Sequence, residues 1–169
     1  DIAYPVRSIL RNIPNMDFAL THARRIDLQN RVIETDGEAI SYDYLILAMG
    51  SITHSFGIPG VESHAYFLKT LEEATALKNH IICCFEGAAR EPDEARRSGF
   101  LTFVIVGGGA TGVEYVGALS ELIHGPLVRD YRTIDFRTVR IILLEASDSL
   151  VANMPKPVRD YTLDRLKKM

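Results

Sequence analysis

The chain has 169 residues, 47% hydrophobic and 24% charged, with a formal net charge of −3. This is the size of about one domain, with enough apolar content for a packed core, and it excludes a disordered polypeptide. Lys and Arg are scattered rather than clustered, so there is no electrostatic footprint for nucleic acid.

Tyr4 to Asn12 reads as a short helix end, stopped at Pro14 and Asn15. No basic-then-apolar secretory start is present: Asp1 is followed by Pro5 and Arg7. A strand-rich block follows from Phe18 to Ala48. Within it Arg31–Thr35 and Glu38–Ser41 flank Asp36-Gly37, a hairpin signal, because Asp and Gly tolerate the positive φ of primed turns. Tyr44–Ala48 is nearly all apolar, which predicts a strand covered on both faces. Gly57, Pro59 and Gly60 mark the segment 50–60 as the crossing between two units, residues 1–55 and 56–169.

Thr70 with Glu73 forms a capping box, and Leu71, Ala74, Leu77, Ile81, Phe85 and Ala88 then recur at helical spacing. Cys83 and Cys84 sit on that helix as neighbours, so they cannot staple distant parts of a fold. They suit a reducing, cytoplasmic setting. Glu91 to Gly99 is expected to be a solvated linker. The stretch Phe100–Ile123 is long enough for a membrane helix, which needs about 20 residues. Gly107, Gly108 and Gly109 break it, and Glu114 and Glu121 follow. It reads instead as a buried strand over 100–106, a glycine turn, and a helix from Ala110 to His124 closed by Gly125-Pro126. An irregular charged segment over 127–138, a strand over 139–144 and a helix from Pro157 complete the pattern. The fold class is α/β: a partial Rossmann-like NAD(P)/FAD-binding fold, preceded by a small antiparallel block.

The chemistry concentrates at Gly107-Gly108-Gly109-Ala110-Thr111-Gly112, a GxGxxG between strand and helix. The first glycine permits the tight turn, the second admits a pyrophosphate, and the third lets helix and strand pack closely. Backbone N–H groups at the helix start, near Ala110 to Val113, then face the phosphates. Glu145 ends the next strand, where a carboxylate can accept from a ribose and would repel a 2′-phosphate. NADH is therefore expected over NADPH. The acid is expected about 20 residues after the loop. Here it comes later, with 124–138 as the insertion. Glu114, read on its own, complements the helix dipole. No histidine has metal-ligand spacing and no GxSxG occurs.

The run Phe103-Val-Ile-Val-Gly-Gly-Gly-Ala-Thr-Gly-Val-Glu-Tyr-Val-Gly-Ala-Leu119 resembles the NADH-binding segment of type II NADH dehydrogenases, which are two-dinucleotide flavoproteins. Tyr42-Asp-Tyr-Leu-Ile-Leu-Ala-Met-Gly50 is similar to that family's second flavin-side motif, and Ile58-Pro-Gly60 to its crossover. The helix over 71–90, the Arg/Glu-rich linker and Leu-Leu-Glu-Ala at 143–146 fit the same group. The resemblance implies that Gly107, Gly108, Gly109, Ala110, Thr111 and Gly112 line the pyrophosphate, with Glu145 and Ala146 at the ribose. It also implies Glu114 near the nicotinamide, and Ala48 and Gly50 near FAD. Met49 stands where the family has Thr.

The family's first GxGxxG would precede Asp1, and its later flavin motif and membrane-attaching helices would follow Met169. The chain is accordingly expected to be a fragment that neither retains FAD nor reduces quinone by itself. Its parent would pass a hydride from NADH to FAD and electrons to quinone, peripherally at the cytoplasmic face of a membrane. The lack of an acid–base constellation agrees, because the cofactors carry the chemistry. Two other readings stand beside this one. One is a related flavin reductase with another acceptor, and the other a non-catalytic dinucleotide-binding module. An exposed sheet edge is expected, with pairing between chains and a homodimer as its consequence.

Overall fold

A computed structural model describes residues 4–169, in two compact units, 1–75 and 76–169. The division falls inside a helix rather than in the segment 50–60 where the sequence places the crossing.

The first unit opens with a short helix, α1 (Val6–Leu10). Three antiparallel strands follow in the order β1 (Ala23–Asp27), β2 (Val32–Thr35) and β3 (Ile40–Ser41). The β1–β2 turn is built by Asp27, whose carboxylate accepts from the N–H groups of Gln29 (3.0 Å) and Asn30 (2.9 Å). Arg31 then takes a left-handed φ of 54° to re-enter the sheet. At the expected β2–β3 hairpin, Gly37 does not use the left-handed backbone. The Thr35 hydroxyl organises the turn instead, accepting from Gly37 N–H at 3.0 Å and donating to the Glu38 carbonyl at 2.8 Å. Pairing of Val32 with Ser41 and Ile33 with Ile40 leaves 36–39 as a longer connection than a primed turn requires.

Tyr44–Ala48 is not a strand. Tyr44 is 94% and Ile46 89% exposed. A doubly covered strand needs neighbours along both edges and layers on both faces. The three strands of this unit provide neither. A single turn, α2 (Val61–His64), lies between this segment and the next helix.

α3 (Leu71–Arg90) begins as the capping box dictates. The Glu73 N–H donates to Thr70 Oγ1 (3.1 Å), and Glu73 Oε2 accepts from Thr70 N–H (3.0 Å) and Lys69 N–H (2.8 Å). Ile81, Phe85 and Ala88, on one face, are its buried residues. The expected linker after α3 is a helix, α4 (Glu94–Phe100), because Asp93 caps it by accepting from Arg96 N–H at 2.8 Å. Arg97 ties the approach down by donating to the carbonyls of Glu91 and Pro92.

β4 (Thr102–Val106) and β5 (Arg140–Leu144) form a parallel pair in register from Thr102↔Arg140 to Val106↔Leu144. α5 (Ala110–Leu122) is the crossover helix. Gly125-Pro126 does not end it. The helix widens into a π-turn over Ile123–Leu127, with Pro126 inside, and runs on through α6 (Val128–Asp130). A π-turn shifts the hydrogen-bond ladder, which accommodates the missing Pro N–H. Burial of Ile123 and Leu127 holds it there. A 3₁₀ turn (Phe136–Thr138) leads into β5, and α7 (Lys156–Lys167) follows it.

The core gathers Phe85, Leu101, Leu119, Ile123, Leu127 and Ile134. Phe85 is fully buried, its ring 5.9 Å from Phe103, 5.8 Å from Phe136 and 5.4 Å from Tyr131. Phe103, Ile105 and Ile141 pack against this core, whereas Val104, Val106 and Leu144 are exposed. The strand pair is therefore covered on one face, not on both as its apolar run predicts. The second unit is the Rossmann-like element of the fold, and the antiparallel block precedes it.

Candidate dinucleotide site

The site grows from the end of β4. Gly107 continues the ladder by donating to the Leu144 carbonyl (2.8 Å), with φ at +105°, a conformation that L side chains rarely adopt. Gly112 passes so close to this turn that an added Cβ would stand 1.9 Å from the Gly107 carbonyl oxygen. This is the close helix–strand approach expected of the third glycine. Gly109 is the N-cap of α5 and contributes no capping side chain, so the first-turn N–H groups at Ala110 and Thr111 are not covered from that residue. A Cβ built on Gly109 meets nothing within 4 Å. A diphosphate needs such open backbone.

Glu145, at the end of β5, comes back to the same loop. Its Oε2 accepts from Gly108 N–H at 2.6 Å and its Oε1 from Ser147 N–H at 2.7 Å. These backbone donors, Ser147 foremost and then Gly108, hold the carboxyl below its ordinary range, so it is anionic at neutral pH. Glu145 remains exposed, with ligand access. Ala146 and Thr111 are also exposed beside this centre.

Glu114 is exposed but lies beyond the first turn of α5, which contains no acid. Dipole complementarity, which fades within one turn, explains little at that distance. Ala48 and Gly50 belong to the first unit, exposed in a segment without helix or strand, Gly50 at φ +72°. Among the described residues they form no enclosed cradle for a flavin.

The sequence reading missed the segment that follows Glu145. Leu150 lies against Gly108: an added Cβ would stand 2.5 Å from Leu150 Cδ2, so the leucine would have to shift to admit a side chain. Val151 donates from its N–H to the Gly108 carbonyl at 2.8 Å. Nothing in residue type marks these contacts beforehand, because both run through the main chain or an ordinary apolar side chain.

The profile of the pyridine nucleotide-disulphide oxidoreductase family matches residues 8–169. A type II NADH:quinone oxidoreductase of Mycobacterium tuberculosis is 34% identical, covering 100% of this chain and 37% of its own length. An external alternative NAD(P)H-ubiquinone oxidoreductase of Arabidopsis thaliana mitochondria is 32% identical, over 99% of this chain and 30% of its own. The NDH2 of Plasmodium falciparum, solved in complex with NADH, superposes with a TM-score of 0.69 at 25% identity, over 83% of this chain and 30% of that one. The chain thus spans about a third of the length of the curated relatives it matches. With its glycine turn, crossover helix and strand-end carboxylate assembled in one place, the chain belongs to the pyridine nucleotide-disulphide oxidoreductase family.

Proposed function

We propose that residues 107–112 and Glu145 hold NADH for a flavin-dependent NADH:quinone oxidoreductase. The observation that supports this reading is the 2.6 Å hydrogen bond between Gly108 N–H and Glu145, which joins the glycine loop to the strand-end carboxylate. Gly107 and Gly112 shape the turn, and Gly109 leaves the diphosphate its path. Ala110 and Thr111 present main-chain donors at the positive end of α5. The anionic Glu145 accepts from ribose hydroxyls and repels a 2′-phosphate. Ala146 flanks it, and Glu114 lies toward the nicotinamide. Held in this way, NADH would be oriented by residues 107–112 and Glu145 for use as the hydride donor of a flavin enzyme whose final acceptor would be a quinone.

Ala48 and Gly50 are the flavin-side residues of this proposal. The work of this chain is binding and orientation. No helix among the described residues is long and apolar enough to cross a membrane. Attachment at a cytoplasmic membrane surface would therefore not run through a spanning helix among these residues.

Titration of the chain with NADH and with NADPH, followed by dinucleotide fluorescence, tests the reading. NADH should bind tighter by about tenfold or more, the size of one charge-supported contact. Equal or reversed affinities would remove Glu145 from its role.

A further inference from the structure

The carboxylate of Glu145 is the last link in a chain of hydrogen bonds that begins on α7. Arg159 donates from a terminal guanidinium nitrogen to Ser149 Oγ at 3.1 Å. The Ser149 carbonyl accepts from Ser147 Oγ at 2.9 Å. The Ser147 N–H donates to Glu145 Oε1 at 2.7 Å, and Glu145 Oε2 accepts from Gly108 N–H at 2.6 Å. The segment 145–151 is therefore a bracket. It is fastened to the glycine loop at both ends, by Glu145 and by the Val151 N–H on the Gly108 carbonyl.

The bracket is not a relaxed conformation. Val151 is β-branched and buried, yet it sits at φ 44°, where such residues are outliers. Backbone of this kind persists when its surroundings over-determine it. The contacts from the segment to Gly108 supply one anchor, and Arg159 supplies the other. The Arg159 Nε is buried without a hydrogen-bond partner. A buried donor left unpaired is unfavourable, and such groups call for a reason. Among the described residues, the one side-chain partner of the guanidinium is Ser149 Oγ.

We infer that Arg159, acting through Ser149 and Ser147, is a positioning residue that fixes the Glu145 carboxylate for discrimination between unphosphorylated and 2′-phosphorylated dinucleotides. This deepens the NADH assignment and rests on it. Arg159 does not itself contact the nucleotide. It sets where the charge that chooses between ribose forms stands, as outer partners do for ligating groups elsewhere.

The test is the NADH/NADPH affinity ratio of the folded chain, by the same fluorescence titration, in Arg159→Met, Arg159→Lys and Ser149→Ala. Arg159→Met and Ser149→Ala should each weaken NADH binding by about tenfold while changing NADPH little, so the ratio narrows. Arg159→Lys, which can still donate to Ser149, should restore most of it. An unchanged ratio in Ser149→Ala and Arg159→Met would overturn the inference. So would equal weakening toward both dinucleotides, the mark of a purely structural role. If Arg159→Met does not fold, Ser149→Ala decides alone, since it cuts the same link without emptying the guanidinium site. Failure of the unaltered chain to bind NADH would defeat the site assignment and this inference with it. Normal NADH binding with an unmoved ratio in the variants defeats the inference only.

Discussion

Gly109 and Gly112 are both glycines of one motif, yet the structure gives them separable physical duties. At Gly109 the backbone φ is −71°, open to any residue, and an added Cβ meets no protein atom within 4 Å. Gly109→Val should therefore leave the melting temperature nearly unchanged while abolishing NADH binding, because the only thing displaced is the diphosphate. Retained affinity in a folded variant would count against the phosphate-loop reading. At Gly112 the same Cβ would lie 1.9 Å from the Gly107 carbonyl oxygen. Gly112→Ala should cost about 1–3 kcal/mol of stability, the usual penalty of overpacking, and show it in thermal denaturation. The GxGxxG pattern already assigns phosphate approach to the second glycine and helix–strand packing to the third, but how strictly each position excludes a side chain is not in the spacing. That depends on what stands opposite each Cβ. The Glu145 partnership is legible only in part. A strand-end acid is visible in the sequence, whereas its main-chain donors at Gly108 and Ser147 are brought there by folding.

Helices are legible where local signals stand clear, and hidden where the signal is tertiary or masked by charge and proline. The Thr70/Glu73 capping box and the apolar stripe of α3 need only neighbours three and four residues away. α4 has a local signal too, the Asp93 cap, but charge and Pro92 make the stretch look like a linker. The π-turn through Pro126 has no local signal, since Pro ordinarily ends a helix. It survives because Ile123 and Leu127 are buried in the core that α3 completes. Phe85 is the centre of that core, with three aromatic rings within 6 Å of its own. Phe85→Ala should lower stability by about 3–5 kcal/mol in denaturant unfolding. A loss under 1 kcal/mol would mean that α3 is not the organising element of the second unit.

Across the whole molecule, the two units separate the proposed flavin-side residues Ala48 and Gly50, in 1–75, from the glycine loop 107–112, in 76–169. Each exposes apolar surface: Tyr44, Ile46 and Met49 in the first, and Val104, Val106 and Leu144 along β4 and β5 in the second. The β4–β5 pair has unpaired outer edges among the described residues. Such edges and faces favour association between chains. Sedimentation velocity should show an apparent mass rising with concentration, and a strictly monomeric species at high concentration would contradict this. By itself the sequence determined the dinucleotide motif, the order of strand, turn and helix, and the family. Those depend on residue types a few positions apart, where backbone sterics and side-chain period act directly. Only the tertiary structure decided that Tyr44–Ala48 is no strand, that the parallel pair is covered on one face, and that Arg159 is bonded through serines to Glu145. Covering layers and contacts between distant residues are properties of packing, which no local window of sequence contains.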